Sequence, residues 1–411
     1  MKTVKIRKEE KGYLLYFPSE RLSTEVNFMG ATIAQSFFNE DKDIEEISQD
    51  LSLKYENISY SEIKEDVKRF LSELYYHIKH NNINLAEQKK LEYPLGAEVE
   101  ITTGCNLRCK HCFQSDYKEE FMTLEKFKSI IDILCKNHVY ELNLVGGEVF
   151  HHKNAMEMIK YASNKEMTIT IVTNATLISE QDIKELSRIQ NLYILISLDG
   201  NKKVHDYIRG NGMYYVTVET AKKLKESGVN VEFLYTLNSV NLPIYEEVIE
   251  FTKSIDIPIN FNLFKPFNKK CHQDLVITPK QFFETIEHLL FLRVKKGYKI
   301  GVSNAAIVSY ALGLPEKNEC TATLAGIVIN VSGHMLACPY LVEAGCESEE
   351  KLPLFDENFI ETWRTGDYFE NFRKHGQKNC QACSYIFSGD VCGIDPYGLE
   401  AYKEFTKRKN E

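Results

Sequence analysis

Cys105-Asn-Leu-Arg-Cys109-Lys-His-Cys112 is the stretch that decides how this chain reads. Three cysteines fall within eight residues, spaced three and then two apart. Thiolates are soft ligands that hold zinc or iron–sulfur clusters. A zinc site or a fully ligated four-iron cluster asks for a fourth protein ligand. Only His111 lies at ligand spacing, and its ring would crowd the flanking cysteines. The simplest reading is a four-iron, four-sulfur cluster with one iron left open for a small molecule. A zinc knuckle and unrelated buried thiols are the alternatives.

Working outward, Gly96-Ala-Glu-Val-Glu-Ile-Thr102 alternates and carries Val and Ile, which predicts a strand. The cysteines then lie on the loop leaving a strand's C-terminal end, where parallel α/β barrels place their chemistry. C-x3-C-x2-C, with an aromatic ring (His111) before the third cysteine, resembles the signature of the radical S-adenosylmethionine (SAM) enzymes. The resemblance implies that the open iron takes the amino and carboxylate groups of SAM. An electron from the cluster then breaks a sulfur–carbon bond and frees a 5′-deoxyadenosyl radical.

Alternation of strand and helix continues downstream. Leu142–Val145, Thr168–Val172, Leu192–Ser197, Val229–Tyr235 and Ile257–Asn262 read as strands, with amphipathic segments such as Leu124–Lys136 and Ile244–Ser254 between them. That order predicts a parallel sheet. The fold class expected is α/β: a partial (β/α)6 TIM-like barrel over 95–300, whose open side admits a large substrate.

Each strand end carries polar groups. Gly146-Gly147-Glu148 pairs glycines, which permit close backbone approach, with a carboxylate that can accept from an ammonium. The family resemblance assigns this triplet to the methionine amino group. Thr173-Asn174-Ala-Thr176 and Ser197-Leu-Asp199-Gly200 offer hydroxyl, amide and carboxylate groups suited to a ribose. His205-Asp-Tyr-Ile-Arg209 resembles the segment whose arginine pairs with the SAM carboxylate, a bidentate match for a guanidinium. Helix capping or solvation is the alternative for each.

Residues 1–90 read as a separate, winged-helix-like α+β domain. Short strands are predicted at Gly12–Pro18 and around Val26–Phe28, and helices at Ala31–Phe38 and Asp43–Leu51. A third helix carries Ile63, Val67, Phe70, Leu71, Leu74 and Ile78. This order resembles the leader-peptide recognition domain of enzymes that modify ribosomally made peptides, which implies strand addition by an extended leader. A DNA-binding winged helix or a structural cap is the other reading, and no arginine-rich recognition helix favours DNA.

After a long helix at Thr278–Lys296, cysteines become dense. Cys320 and Cys338 flank Gly333; Cys346, Cys380-Gln-Ala-Cys383 and Cys392 follow. Residues 305–411 resemble the auxiliary-cluster extension called SPASM, or its shorter twitch form. The full pattern is incomplete, since only Cys392 follows Cys383. The resemblance implies one auxiliary cluster, expected to be [4Fe-4S], from Cys320, Cys338, Cys380 and Cys383. Cys346 and Cys392 are spare, or belong to a second cluster; zinc on the same cysteines stays open. Cys135 reads as a core thiol, and Cys271 as a loop residue or a hydrogen-atom donor.

The whole chain sets bounds. It has 411 residues, a net charge of −9 and eleven cysteines. That charge disfavours a general nucleic-acid binder. No run approaches a membrane span, and Met1 to Lys8 lacks the apolar stretch of a signal peptide. The cysteine count points to a reducing cytoplasm and to metal rather than disulfides. The expected function is a radical SAM enzyme that installs intrapeptide thioether or carbon–carbon crosslinks in a ribosomally made precursor peptide, fed by a flavodoxin- or ferredoxin-type electron donor. A peptide epimerase, a formylglycine-generating sulfatase maturase and a peptide-binding iron–sulfur scaffold are the alternatives.

Overall fold

The computed structural model describes residues 3–55, 57–80, 90–112, 118–266, 272–314, 322–343, 348–376 and 396–410. The chain forms two compact units, Met1–Glu92 and Tyr93–Glu411.

In the first unit, β1 (Lys5–Glu9), β2 (Gly12–Phe17) and β3 (Leu22–Val26) make an antiparallel sheet in the order 1-2-3. Strand β2 is central, and Leu14 to Phe17 are all buried. Strand β1 escaped the sequence reading because four of its five residues are charged; two of these, Arg7 and Glu9, are buried as an ion pair at 2.6 Å. The strand expected around Val26–Phe28 ends at Val26, because Asn27 turns to cap the next helix by accepting from the Gly30 amide at 2.8 Å. Helices α1 (Phe28–Ala34), α2 (Ile44–Ser52) and α3 (Tyr60–His80) follow. Asp43 and Glu46 form a reciprocal capping box that starts α2. Ile63, Val67, Leu71, Leu74 and Ile78 bury one stripe of α3 against Phe17, Ile33 and Ile47 in this unit's own core.

In the second unit, β4 (Gly96–Thr102), β5 (Glu141–Gly146), β6 (Thr168–Thr173), β7 (Leu192–Ser197), β8 (Asn230–Leu237) and β9 (Ile259–Leu263) are parallel neighbours in chain order. The intervening helices include α4 (Leu124–Lys136), α5 (Ala155–Asn164), α6 (Glu180–Leu186), α7 (Lys202–Arg209), α8 (Met213–Glu226) and α9 (Tyr245–Ser254), and α10 (Pro279–Lys296) follows β9. The sheet extends beyond the six expected strands. Strand β10 (Ile300–Val302) adds in parallel to β9, and β11 (Gly326–Ile329) adds in parallel to β4. Strand β12 (Met335–Leu336) closes a hairpin on β11. The C-terminal segment is thus built onto the barrel sheet. The hairpin turn needs Gly333, whose φ of 83° is the left-handed region, and a Cβ there would meet the Lys126 side chain at 2.6 Å.

Strand alternation sorts the barrel's two faces. Val99, Leu144, Ile171, Ile196, Phe233 and Phe261 belong to one continuous core with the helices. The opposite residues, among them Glu98, Glu100, Val145, Val172, Leu234 and Asn262, line a cavity. Trp363 is fully buried beside β11 and donates to the Gly326 carbonyl at 3.1 Å.

Candidate active site

The cavity, of about 560 Å³, lies at the C-terminal ends of the strands. Cys105, Cys109, His111, Cys112, Gly146, Gly147, Glu148, Thr173, Asn174, Ser197 and Arg209 all line it. Residues from four strand ends and α7 therefore meet in one place. The β11–β12 hairpin supplies another wall through Asn330, Val331 and Ser332.

The cysteine loop is held from below. Thr102 Oγ1 donates to the Glu120 carbonyl at 2.8 Å and accepts from the Gly104 amide at 2.9 Å. The amide of Gly147 donates to the Thr102 carbonyl at 2.8 Å, and that of Glu148 to the Gly104 carbonyl at 2.9 Å. This packing explains the paired glycines. A Cβ on Gly147 would sit 2.3 Å from the Gly104 oxygen, and one on Gly146 2.3 Å from the Thr102 oxygen. The close approach that the glycines permit is to the cysteine loop's own backbone.

Glu148 is 1 % exposed. Its Oε1 accepts from Thr173 Oγ1 at 2.6 Å and the Phe150 amide at 3.1 Å, and Oε2 accepts from the Asn174 amide at 2.7 Å. Burial still pushes its pKa up despite these bonds. A carboxylate offers about four acceptor sites, so Oε2 retains capacity for one further donor. Asn174 and Thr176 bind Asn106 inside the cysteine motif: Asn174 Nδ2 donates to Asn106 Oδ1 at 3.0 Å, and Asn106 Nδ2 to Thr176 Oγ1 at 2.8 Å. Ser197 lines the cavity at the end of β7.

Asp199, expected beside a ribose, is fully buried. Its Oδ2 takes Arg209 Nε at 2.5 Å and lies 3.1 Å from His111 Nε2, while Oδ1 accepts from the Thr236 amide at 3.1 Å. Burial alone would raise its pKa; Arg209 and His111 outweigh burial and hold it well below the usual carboxylate range. Arg209 is correspondingly held charged, and its Nη1 reaches toward Cys109 Sγ at 3.8 Å. His205, also fully buried, accepts the Asp199 amide at Nδ1 (3.2 Å). Burial and then Arg209 bring the His205 pKa down to about 4, so the ring is neutral. His111 stacks on Phe264 with 18° between the planes.

The residues fit a four-iron cluster. Three thiols enter one cavity, and among the described residues no three His, Cys, Asp or Glu side chains converge on one metal-ion position. A cluster asks each cysteine for a different iron; a zinc ion asks all of them for one point. Burial pushes Cys105 up and Cys109 up to about 11, so ligation must displace their protons. His111 Nδ1 is a buried polar atom without a partner among the described residues. Of the C-terminal cysteines only Cys338 is described, and it is buried just after β12. Cys271, Cys320, Cys346, Cys380, Cys383 and Cys392 lie outside the described residues.

The sequence reading missed four contributors. Asn106 sits inside the motif itself and ties it to the third strand's loop. Thr102 and the lumen pair Glu98 and Glu100 were readable from the alternation of β4.

Residues 99–254 match the family model of the radical SAM superfamily. The chain is 33% identical over 167 residues to the antilisterial bacteriocin subtilosin biosynthesis protein AlbA of Bacillus subtilis, a match covering 39% of this chain and 37% of that protein. It is 24% identical over 315 residues to the mycofactocin maturase MftC of Mycolicibacterium smegmatis, covering 74% of this chain and 78% of that one. Among solved structures, Streptococcus suis SuiB aligns over 96% of this chain and 98% of its own with a TM-score of 0.71 and 14% identity, a likeness of fold. The barrel therefore resembles a radical SAM domain over the residues that the family model matches. The chain is an enzyme whose cofactors are a [4Fe-4S] cluster and SAM.

Proposed function

We propose that this enzyme modifies a ribosomally made precursor peptide, joining two of its residues through a thioether or carbon–carbon bond. The observation that carries the proposal is one cavity holding the three thiols, the spare acceptor of Glu148 and the guanidinium of Arg209, in a chain whose relatives include a bacteriocin biosynthesis protein and a maturase. SuiB, which shares the fold, has been solved with its precursor peptide SuiA.

When bound, the cluster and SAM supply a carbon radical able to abstract hydrogen. The chain's residues do the rest. Cys105, Cys109 and Cys112 would hold the cluster. Glu148 Oε2 accepts from the ammonium of SAM, and the free N–H groups of Arg209 take its carboxylate. Asp199 positions Arg209 and His111 at once. Thr173, Asn174 and Ser197 are the polar groups nearest for the ribose. Closing a bond from a carbon radical requires loss of one further electron, and a redox centre held by the C-terminal cysteines would supply an acceptor for it. Cys320, Cys338, Cys380 and Cys383 would hold that centre; of these, Cys338 is among the described residues. The first unit holds the leader: β1 and β3 are both sheet edges, able to receive an added strand. The carrier that reduces the enzyme is of the flavodoxin or ferredoxin type. The setting is cytoplasmic; among the described residues no helix is long and apolar enough to cross a membrane.

The test is mass spectrometry of the precursor after anaerobic turnover. The product is expected to be lighter by two hydrogens per bond. A product of unchanged mass in ordinary water that gains one deuterium per inverted centre in heavy water would reject crosslinking in favour of epimerisation.

A further inference from the structure

The outer side of the cysteine loop carries a feature that the substrate cavity does not use. Lys110, the residue after Cys109, is exposed, and its Nζ lies 4.7 Å from the ring centre of Tyr207 on α7. Lys203 stands one helical turn before Tyr207, on the same face. Lys202 Nζ lies 5.4 Å from the ring centre of Tyr215 on α8. Tyr207 and Tyr215 are 56% and 58% exposed. Among the described residues none of these three lysines forms an ion pair. The nearby carboxylates are already engaged: Asp206 accepts the Tyr214 amide at 2.9 Å, and Glu247 accepts Asn201 Nδ2 at 3.0 Å. The Lys110 amide donates to the Ile208 carbonyl at 2.9 Å, which ties the cluster loop to α7.

We infer that Lys110, Lys202, Lys203, Tyr207 and Tyr215 form the docking surface for a small, acidic one-electron carrier protein. This rests on the radical SAM reading of the cysteine loop. Charge selects the occupant. The chain as a whole carries −9, which repels an acidic protein, and this patch has the opposite sign. Position selects the function, because Lys110 lies within the loop bearing Cys109 and Cys112, so a carrier seated there abuts the iron ligands. The exposed rings add contact area of the kind that dominates interface energetics. One electron leaves the carrier and is taken up by the cluster; no atom or bond is exchanged at this surface.

The test uses the full chain with its clusters reconstituted anaerobically. Binding of a purified acidic flavodoxin, and separately of a plant-type ferredoxin, is measured by calorimetry at low and at moderate salt. Formation of 5′-deoxyadenosine is then driven either by the reduced carrier or by dithionite, which needs no docking surface. The unaltered enzyme is expected to bind at least one carrier, more weakly as salt rises. Lys110→Glu/Lys202→Glu/Lys203→Glu is expected to bind about tenfold more weakly or worse. Carrier-driven turnover falls by the same factor, and dithionite-driven turnover stays unchanged. A triple variant that binds and is reduced like the unaltered enzyme would overturn the inference. So would an unaltered enzyme that turns over with dithionite and binds neither carrier. No cleavage with dithionite in the unaltered enzyme would remove the radical reading itself, and this inference with it.

Discussion

Glu98→Gln is expected to make the protein more stable, and increasingly so as pH rises from 6 to 8. Glu98 sits on the lumen face of β4 beside Glu100, and its exposure is to the cavity. Burial, and then the charge of Glu100, push its pKa from the ordinary 4.5 up to about 7. The sign follows from proton binding. With the folded value raised, the folded state holds more protons than the unfolded one between those two values, so stability falls as pH rises through that window. Each tenfold shift is worth about 1.4 kcal/mol, which gives a total of about 3 kcal/mol. Roughly 1 kcal/mol of this falls between about pH 6 and about pH 8. Glutamine keeps the shape and has no charge to desolvate. Glu98 also makes no hydrogen bond or ion pair among the described residues that the substitution would break. The assay is anaerobic urea unfolding of both proteins at the two pH values. Parallel stability differences at pH 6 and pH 8 would refute the reasoning, because they would mean that Glu98 titrates alike in the folded and unfolded chains.

Three further outcomes are expected. Gly147→Ala forces a Cβ against the Gly104 and Thr103 carbonyls and should cost about 1–3 kcal/mol; iron bound per chain after reconstitution should fall, and undiminished iron would count against the loop packing described. Asp199→Asn leaves Arg209 buried without its counter-charge, a loss of about 3–5 kcal/mol for a broken buried pair; thermal unfolding reads it, and calorimetry should show weaker SAM binding in whatever fraction folds. A chain beginning at Tyr93 keeps its own core and should still cleave SAM while losing affinity for the full-length precursor; unchanged precursor affinity would reject leader capture by the first unit.

The barrel was legible because its strands alternate strictly. One face must meet helices and the other must not, and residues such as Leu142, Ile169 and Ile194 mark the first face unambiguously. Short strands were not legible. Strand β10 has three residues and β11 four, and each pairs only because a longer neighbour offers a free edge. The cysteine loop and Gly146-Gly147-Glu148 were readable as members of one cavity because each follows the C-terminal end of a parallel strand, whereas Arg209, the last residue of α7, was readable only through the family resemblance. The work of Asp199 was not readable. Motif spacing fixes neighbours along the chain, whereas this carboxylate gathers donors from the cysteine loop, α7 and β8. Convergence of that kind appears only when the barrel closes.

Charge along the cavity also constrains what enters it and which way round. At the loop end Arg209 is tied to Asp199 through Nε alone, which leaves N–H groups on its outer nitrogens for an anion. At the inner end Glu98 faces the cavity beside Glu100 and makes no ion pair among the described residues. A carboxylate is therefore drawn toward the loop and repelled from the lumen. On the proposed function this sets the polarity of SAM, carboxylate to Arg209 and ammonium to Glu148, before any contact to its adenine or ribose is made. It also sets what the lumen tolerates. If the substrate is a precursor peptide as proposed, a neutral or cationic stretch would pass over Glu98 and Glu100 more readily than an acidic one. On that proposal Glu98, whose charge costs the fold stability as pH rises, also screens what comes near the cluster.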